Sequence, residues 1–237
     1  MEIVDRLREL SSPKTLQSMI RIGINPDQAL GVTLPLMRKL AKEVGRNHEL
    51  ALQLWNSGYH EARILATMVD NPREVTEQQL ESWSGEFDSW DVCDLTCRNL
   101  IEKTPFAIEK AMEWSSRQEE FVKRAGFVLM ARISVSHKKL PDSEFAPFFE
   151  QIIKHSEDDR NFVRKAMHWA LRQIGKRNLP LNKKAVECAG ELQRLGTKNS
   201  VWVANQALRE LLSEPVQARL QIREEKKLQK ETKQPLS

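Results

Sequence analysis

Phe121-Val122-Lys123-Arg124-Ala125-Gly126 returns as Phe162-Val163-Arg164-Lys165-Ala166-Met167, a shift of 41 residues (162 less 121). Weaker echoes stand at Glu61-Ala62-Arg63-Ile64-Leu65-Ala66 and at Val201-Trp202-Val203-Ala204-Asn205-Gln206-Ala207-Leu208. Around them the apolar residues follow helical spacing: Leu36, Leu40 and Val44 form one stripe of residues 34–46. Residues 47–57 and 59–70 repeat that pattern, interrupted at Ser57-Gly58, and Asn71-Pro72 closes the unit. Thr76-Glu77-Gln78-Gln79 has the form of a capping box opening another helix. Breaks at Thr104-Pro105, Leu140-Pro141-Asp142, Asn178-Leu179-Pro180 and Gly196 leave segments of roughly 10–18 residues. No alternating strand pattern competes with them.

These spacings predict an all-α fold. A repeat near 40 residues with two helices in each unit is the mark of a HEAT-like α-solenoid, built of antiparallel helix pairs around a concave groove. A helical bundle without repeats is the alternative. Residues 1–213 are expected to form one HEAT-like repeat domain. Residues 214–237 read as a basic tail, a frayed helix followed by disorder, because little apolar spacing survives beyond Leu220 and Ile222.

Composition narrows the function classes. With 9 glycines, 6% aromatic and 30% charged residues, the 237-residue chain has the balance of amphipathic helices. The formal net charge of +4 permits an anionic partner, but Arg219, Arg223, Lys226, Lys227, Lys230 and Lys233 outweigh Glu224, Glu225 and Glu231 near the end. The body is therefore close to neutral, and any charge that binds an anionic partner must gather on one face. No apolar run approaches the roughly 20 residues of a membrane span, and MEIVDRLREL is no signal sequence. Three cysteines, Cys93, Cys97 and Cys188, fit a reducing cytoplasm, where the protein is expected as a monomer. Cys93 and Cys97 can share a helix face, yet a metal would want two further ligands and none stands at suitable spacing. They read as structural thiols.

Three stretches carry side chains suited to chemistry: Phe87-Asp88-Ser89-Trp90-Asp91-Val92-Cys93-Asp94, the segment around Arg124, and Asn161 to Arg172 with Trp169. Trp90 and Asp94 lie four apart and share a helix face. A carboxylate can stabilise an oxocarbenium-like sugar and orient water. Indole faces attract a cation by about 0.5–2 kcal/mol. An arginine can hold a phosphate or keep the carboxylate ionised. Each residue also has an ordinary reading: tryptophan as a core anchor, Asp94 and Arg124 as a buried structural pair. Spacing alone leaves both open.

Taken in order, Phe87 to Asp94, Phe121 to Gly126 and Phe162 to Gly175 (with Trp169-Ala170-Leu171-Arg172-Gln173-Ile174-Gly175-Lys176) resemble the signatures of the AlkD-like DNA alkylation repair proteins, over roughly residues 15–212. The resemblance implies a HEAT-like solenoid that excises positively charged 3-methyladenine and 7-methylguanine from double-stranded DNA without metal or redox cofactor. It implies Asp94 as catalytic aspartate, Trp90 and Trp169 as the tryptophans that contact the lesion deoxyribose, and Arg124 as a DNA-contacting arginine. It also implies that the lesion is held against the concave surface rather than in a tight pocket.

One position departs. The family carries a tyrosine in a Met-x-Arg-Tyr context near the amino end, where this chain has Met19-Ile20-Arg21-Ile22. The short amino end is expected to trim a DNA-binding helix. Lys123, Arg164, Lys165, Arg172 and Lys176 are the expected phosphate contacts, with Arg21, Arg38, Lys39 and Arg63 as further cations. Two other readings compete with the glycosylase: a non-catalytic binder of branched or distorted DNA, motivated by Ile22, and a protein-interaction solenoid.

Overall fold

Helix boundaries follow the capping chemistry. Thr76 accepts the Gln79 amide at 3.2 Å, as its capping-box context predicts. Asn47, Asn178 and Thr197 do the same for the amides of Leu50, Leu181 and Ser200. The computed structural model describes residues 2–232, and among them there are helices and no strand.

The chain divides into two units, Met1–Ala107 and Ile108–Ser237. The first holds α1 (Glu2–Glu9), α2 (Pro13–Arg21), α3 (Leu34–Val44), α4 (His48–Asn56), α5 (His60–Val69), α6 (Glu77–Gly85) and α7 (Trp90–Asn99). Its centre is α5, which packs against α1, α3, α4 and α7. Trp55 and Trp83 stack there at 4.0 Å and 3°, both buried, with Phe87 edge-on to Trp55. These are the core-anchor tryptophans.

In the second unit follow α8 (Ala107–Trp114), α9 (Glu120–Ser136), α10 (Ala146–Lys154), α11 (Asn161–Gly175), α12 (Leu179–Leu195), α13 (Lys198–Leu211) and α14 (Glu214–Thr232). Helix α11 lies between α9 and α13, and α10 packs on α12. The repeated segments are therefore the second helices of successive pairs, side by side, which is HEAT-like stacking and not an unrepeated bundle. The echo is physical. Phe121 of α9 meets Phe162 of α11 at 5.4 Å, and Arg164 of α11 lies over Trp202 of α13 at 4.6 Å. Gly126 allows α9 to cross the end of α8: a Cβ there would sit 2.2 Å from the Ser115 backbone nitrogen.

The segment 214–237, expected as a frayed helix and then disorder, is docked at its start. Val216 and Leu220 are buried, and Gln217 donates to the Leu211 carbonyl at 2.6 Å. Residues 233–237 of that segment lie outside the described residues.

Along α11, Arg164, His168, Arg172 and Lys176 recur every four residues and face α13. His168 sits edge-on to Trp202 at 5.1 Å, while Arg172 and Lys176 share the Glu210 carboxylate. Burial and the Arg172 charge push the His168 imidazole from 6.5 down to about 4.

Two outcomes follow from this packing. Gly126→Ala should destabilise the protein by about 1–3 kcal/mol in urea denaturation, because the backbone it meets cannot rotate away as a side chain can. The unfolded chain protonates at His168 near 6.5 and the folded chain only near 4. Stability is thus complete above about 6.5 and falls as pH drops toward 4. The thermal midpoint should fall between pH 7 and 5, and His168→Gln should make that fall shallower; an unchanged slope would show that His168 does not contribute.

Candidate functional site

In the first unit the site is built on the amino-terminal turn of α7. The loop before it is anchored twice. Phe87 plugs into the Trp55–Trp83 stack, and Arg63 holds Glu86 at 2.8 Å and Asp88 at 3.6 Å while lying over the Trp55 ring. His60 of α5 then grips the first turn itself: its Nε2 lies 3.0 Å from the Asp91 carboxylate. Burial opposes charge on that imidazole, but the hydrogen bond and charge of Asp91 outweigh it, and the His60 pKa is raised.

On this turn Trp90 and Asp94 stand one above the other, both half-buried. The Trp90 indole N–H donates to the backbone carbonyl of Ile22 at 3.3 Å. The position of the expected aromatic is therefore beside the candidate tryptophan, and the Ile22 side chain is 52% exposed.

The loop that follows α2 is anchored by a buried carboxylate. Glu61 of α5, fully inaccessible, accepts the amides of Leu30 (2.8 Å), Gly31 (2.7 Å) and Val32 (3.0 Å). The Gly31 carbonyl in turn accepts the Ser12 amide at 3.1 Å, at the start of α2. Gly31 has φ +81°, and a Cβ would sit 2.6 Å from the Ser12 oxygen. The loop after α2 is thereby tied to α5.

The second unit carries the remaining residues. Arg124 of α9 is buried, donates to the Phe162 carbonyl at 2.6 Å and lies 6.0 Å from that ring's centre. Trp169 is half-buried on α11. Of the expected phosphate contacts, Lys165 is exposed. Lys123 is 7% exposed and bound to Asp158 at 3.0 Å. Burial disfavours the Asp158 charge, yet Arg160 and Lys123 hold its carboxyl at about 2. The Lys123 ammonium is committed to the 156–160 loop, and Arg164, Arg172 and Lys176 to α13. Arg63 of the wider set is likewise engaged.

The sequence reading passed over Glu61, His60, Asp91 and Glu210. A charged residue inside an apolar helical stretch was the available signal for Glu61, which opens the weak echo Glu61–Ala66. His60 and Asp91 are 31 residues apart and carry no shared motif. Among the described residues no three His, Cys, Asp or Glu side chains group as a metal site, and no helix is long and apolar enough to cross a membrane.

The family model described as "DNA alkylation repair enzyme" matches residues 3–211. Two relatives, the uncharacterized proteins Lin0241 of Listeria innocua serovar 6a and Lmo0209 of Listeria monocytogenes serovar 1/2a, are 24% and 23% identical over 188 residues. Each alignment covers 77% of this chain and 81% of the relative. A solved structure, described as a new family of proteins related to the HEAT-like repeat DNA glycosylases with affinity for branched DNA structures, superposes with a TM-score of 0.73 at 21% identity. That match covers 80% of this chain and 81% of the other, and at such identity it speaks for the fold. With nearly its whole helical body matched, the chain belongs to the DNA alkylation repair enzyme family.

Proposed function

We propose that this protein is a DNA glycosylase that releases positively charged alkylated purines, 3-methyladenine and 7-methylguanine, by hydrolysing the N-glycosidic bond. The observation that carries the reading is the half-buried Asp94 about one helical turn from Trp90, in a chain of this family. An alkylated purine cation leaves as a neutral base, taking the bonding electron pair onto its own charge. No acid is needed for departure. What the reaction needs is stabilisation of the cationic sugar and a directed water, whose oxygen bonds to the anomeric carbon as its proton is lost. Asp94 serves both needs. Trp90, held by the Ile22 carbonyl, offers a fixed indole face to the deoxyribose. In the second unit Arg124 and Trp169 hold DNA, with Lys165 as the accessible phosphate contact.

A second reading is non-catalytic recognition of branched or distorted DNA. It is favoured by the aliphatic Ile22 where the family resemblance calls for an aromatic, and by the affinity for branched DNA stated for the structural neighbour.

One assay separates the two. Methylated duplex DNA incubated with the protein should release free 7-methylguanine, and Asp94→Asn should lower the release about 100-fold or more while DNA affinity stays within a few-fold. Release that survives in Asp94→Asn removes Asp94 from the chemistry. Steeply salt-dependent binding with no base released by the wild-type protein establishes the second reading instead.

A further inference from the structure

The second unit contains a cleft of about 840 Å³ that takes no part in the proposed chemistry. Its walls are the end of α9 from Ser134, the end of α11 with the turn that follows, and one face of α14. Along α9, ten residues separate Arg124 from Ser134, about 15 Å of helix.

Two helix carboxyl ends would ordinarily repel an anion. Here guanidinium groups cover them. Arg177 donates to the carbonyls of Ser134 (3.0 Å), His137 (3.0 Å), Lys138 (2.9 Å) and Leu140 (2.9 Å) at the end of α9. Arg223 of α14 donates to those of Lys176 (3.2 Å) and Arg177 (3.4 Å) at the end of α11. Two further cations in the cleft, Lys138 and Arg219, are exposed and pair with no described residue. Of the two carboxylates present, Asp142 is held by Asn178 at 2.9 Å and lies 3.9 Å from Arg177, which leaves Glu224. The cleft is net cationic.

The charge also continues past the cleft. Arg219, Arg223 and Lys226 fall at i, i+4 and i+7 on α14, one face over about 10 Å. A compact anion has no use for such a row. A sugar–phosphate strand, with a charge about every 3.4 Å along the helix axis, matches it.

We infer that this cleft and the adjoining face of α14 bind the phosphodiester backbone of a second DNA segment, separate from the segment bearing the lesion. The inference rests on the DNA-binding part of the proposed function, and a branched substrate is what would present both segments together.

The test uses the double variant Lys138→Ala/Arg219→Ala of the full chain. Both side chains are exposed, so an unchanged thermal midpoint is expected and serves as the folding control. Binding to a four-way junction and to a short unbranched duplex is measured by fluorescence anisotropy across a salt series. Junction affinity should fall about tenfold at low salt, and the slope of log affinity against log salt should shrink by about 2, close to one per lost phosphate contact. Short-duplex binding and 7-methylguanine release should not change. The charge-conserving pair Lys138→Arg/Arg219→Lys should restore junction binding. Junction affinity unaltered in the alanine variant, or an equal loss on both DNAs, overturns the second-segment site while leaving the glycosylase reading intact. Wild-type protein that binds neither DNA overturns both readings, and that outcome is visible before any variant is made.

Discussion

A buried carboxylate with no solvent of its own must be fully hydrogen-bonded to be tolerated, and Glu61 meets that demand with three consecutive backbone amides. The arrangement constrains both partners. Helix α5 gains a fixed neighbour at its first turn, and the loop 30–32 loses its freedom to move, since each amide left without an acceptor would cost roughly 1–3 kcal/mol. Through the Ser12–Gly31 bond the constraint reaches α2, and the carbonyl of Ile22 at the end of that helix receives the Trp90 indole. The placement of the candidate tryptophan thus depends on a structural acid one helix away.

Helix α5 contributes twice to the same end. Its first residue, His60, binds Asp91, and its second is Glu61. One turn of helix therefore binds both the loop behind α2 and the start of α7, where Trp90 stands. In the second unit charges serve packing in the same manner. Asp158 takes Lys123 and Arg160, and Glu210 takes Arg172 and Lys176. Except for Arg160, two residues from Asp158, these pairs join one repeat to the next across sequence separations near the repeat length. A cation in a repeat protein is as readily a joint between units as a contact to nucleic acid.

That distinction marks the limit of what the sequence discloses. The repeat of Phe121 to Gly126 at Phe162 to Met167 discloses the stacking of α9 on α11, because a recurring residue pattern is also a recurring packing surface. Local chemistry is equally open to reading: Thr76 caps α6, and Trp90 and Asp94 share a face of α7 by helical geometry alone. Lys123 is another matter. A lysine between Val122 and Arg124 carries no mark of burial, since the acid that neutralises it is 35 residues away (158 less 123). The docking of α14 is hidden for a like reason. Beside the buried Val216 and Leu220, Asn182 and Leu211, on two other helices, supply acceptors to Gln217.

Ile22 shows how the residue beside the candidate tryptophan can vary without dismantling its surroundings. The bond it makes to Trp90 uses its backbone carbonyl, which every residue possesses, so the indole keeps its place whatever side chain stands there. What an isoleucine removes is a π face, and with it an attraction for a cation of about 0.5–2 kcal/mol. In the proposed glycosylase reaction that term would act on the lesion both before and during bond cleavage, because the alkylated base is cationic at the outset while the sugar becomes so. Its loss weakens binding more than it slows the step itself. The role proposed for the Asp94 carboxylate differs, since the charge it would oppose appears on the sugar only as the bond breaks. Under the proposed function, isoleucine at residue 22 and aspartate at residue 94 are therefore compatible: the first would alter how tightly a lesion is held, the second would govern whether it is cleaved.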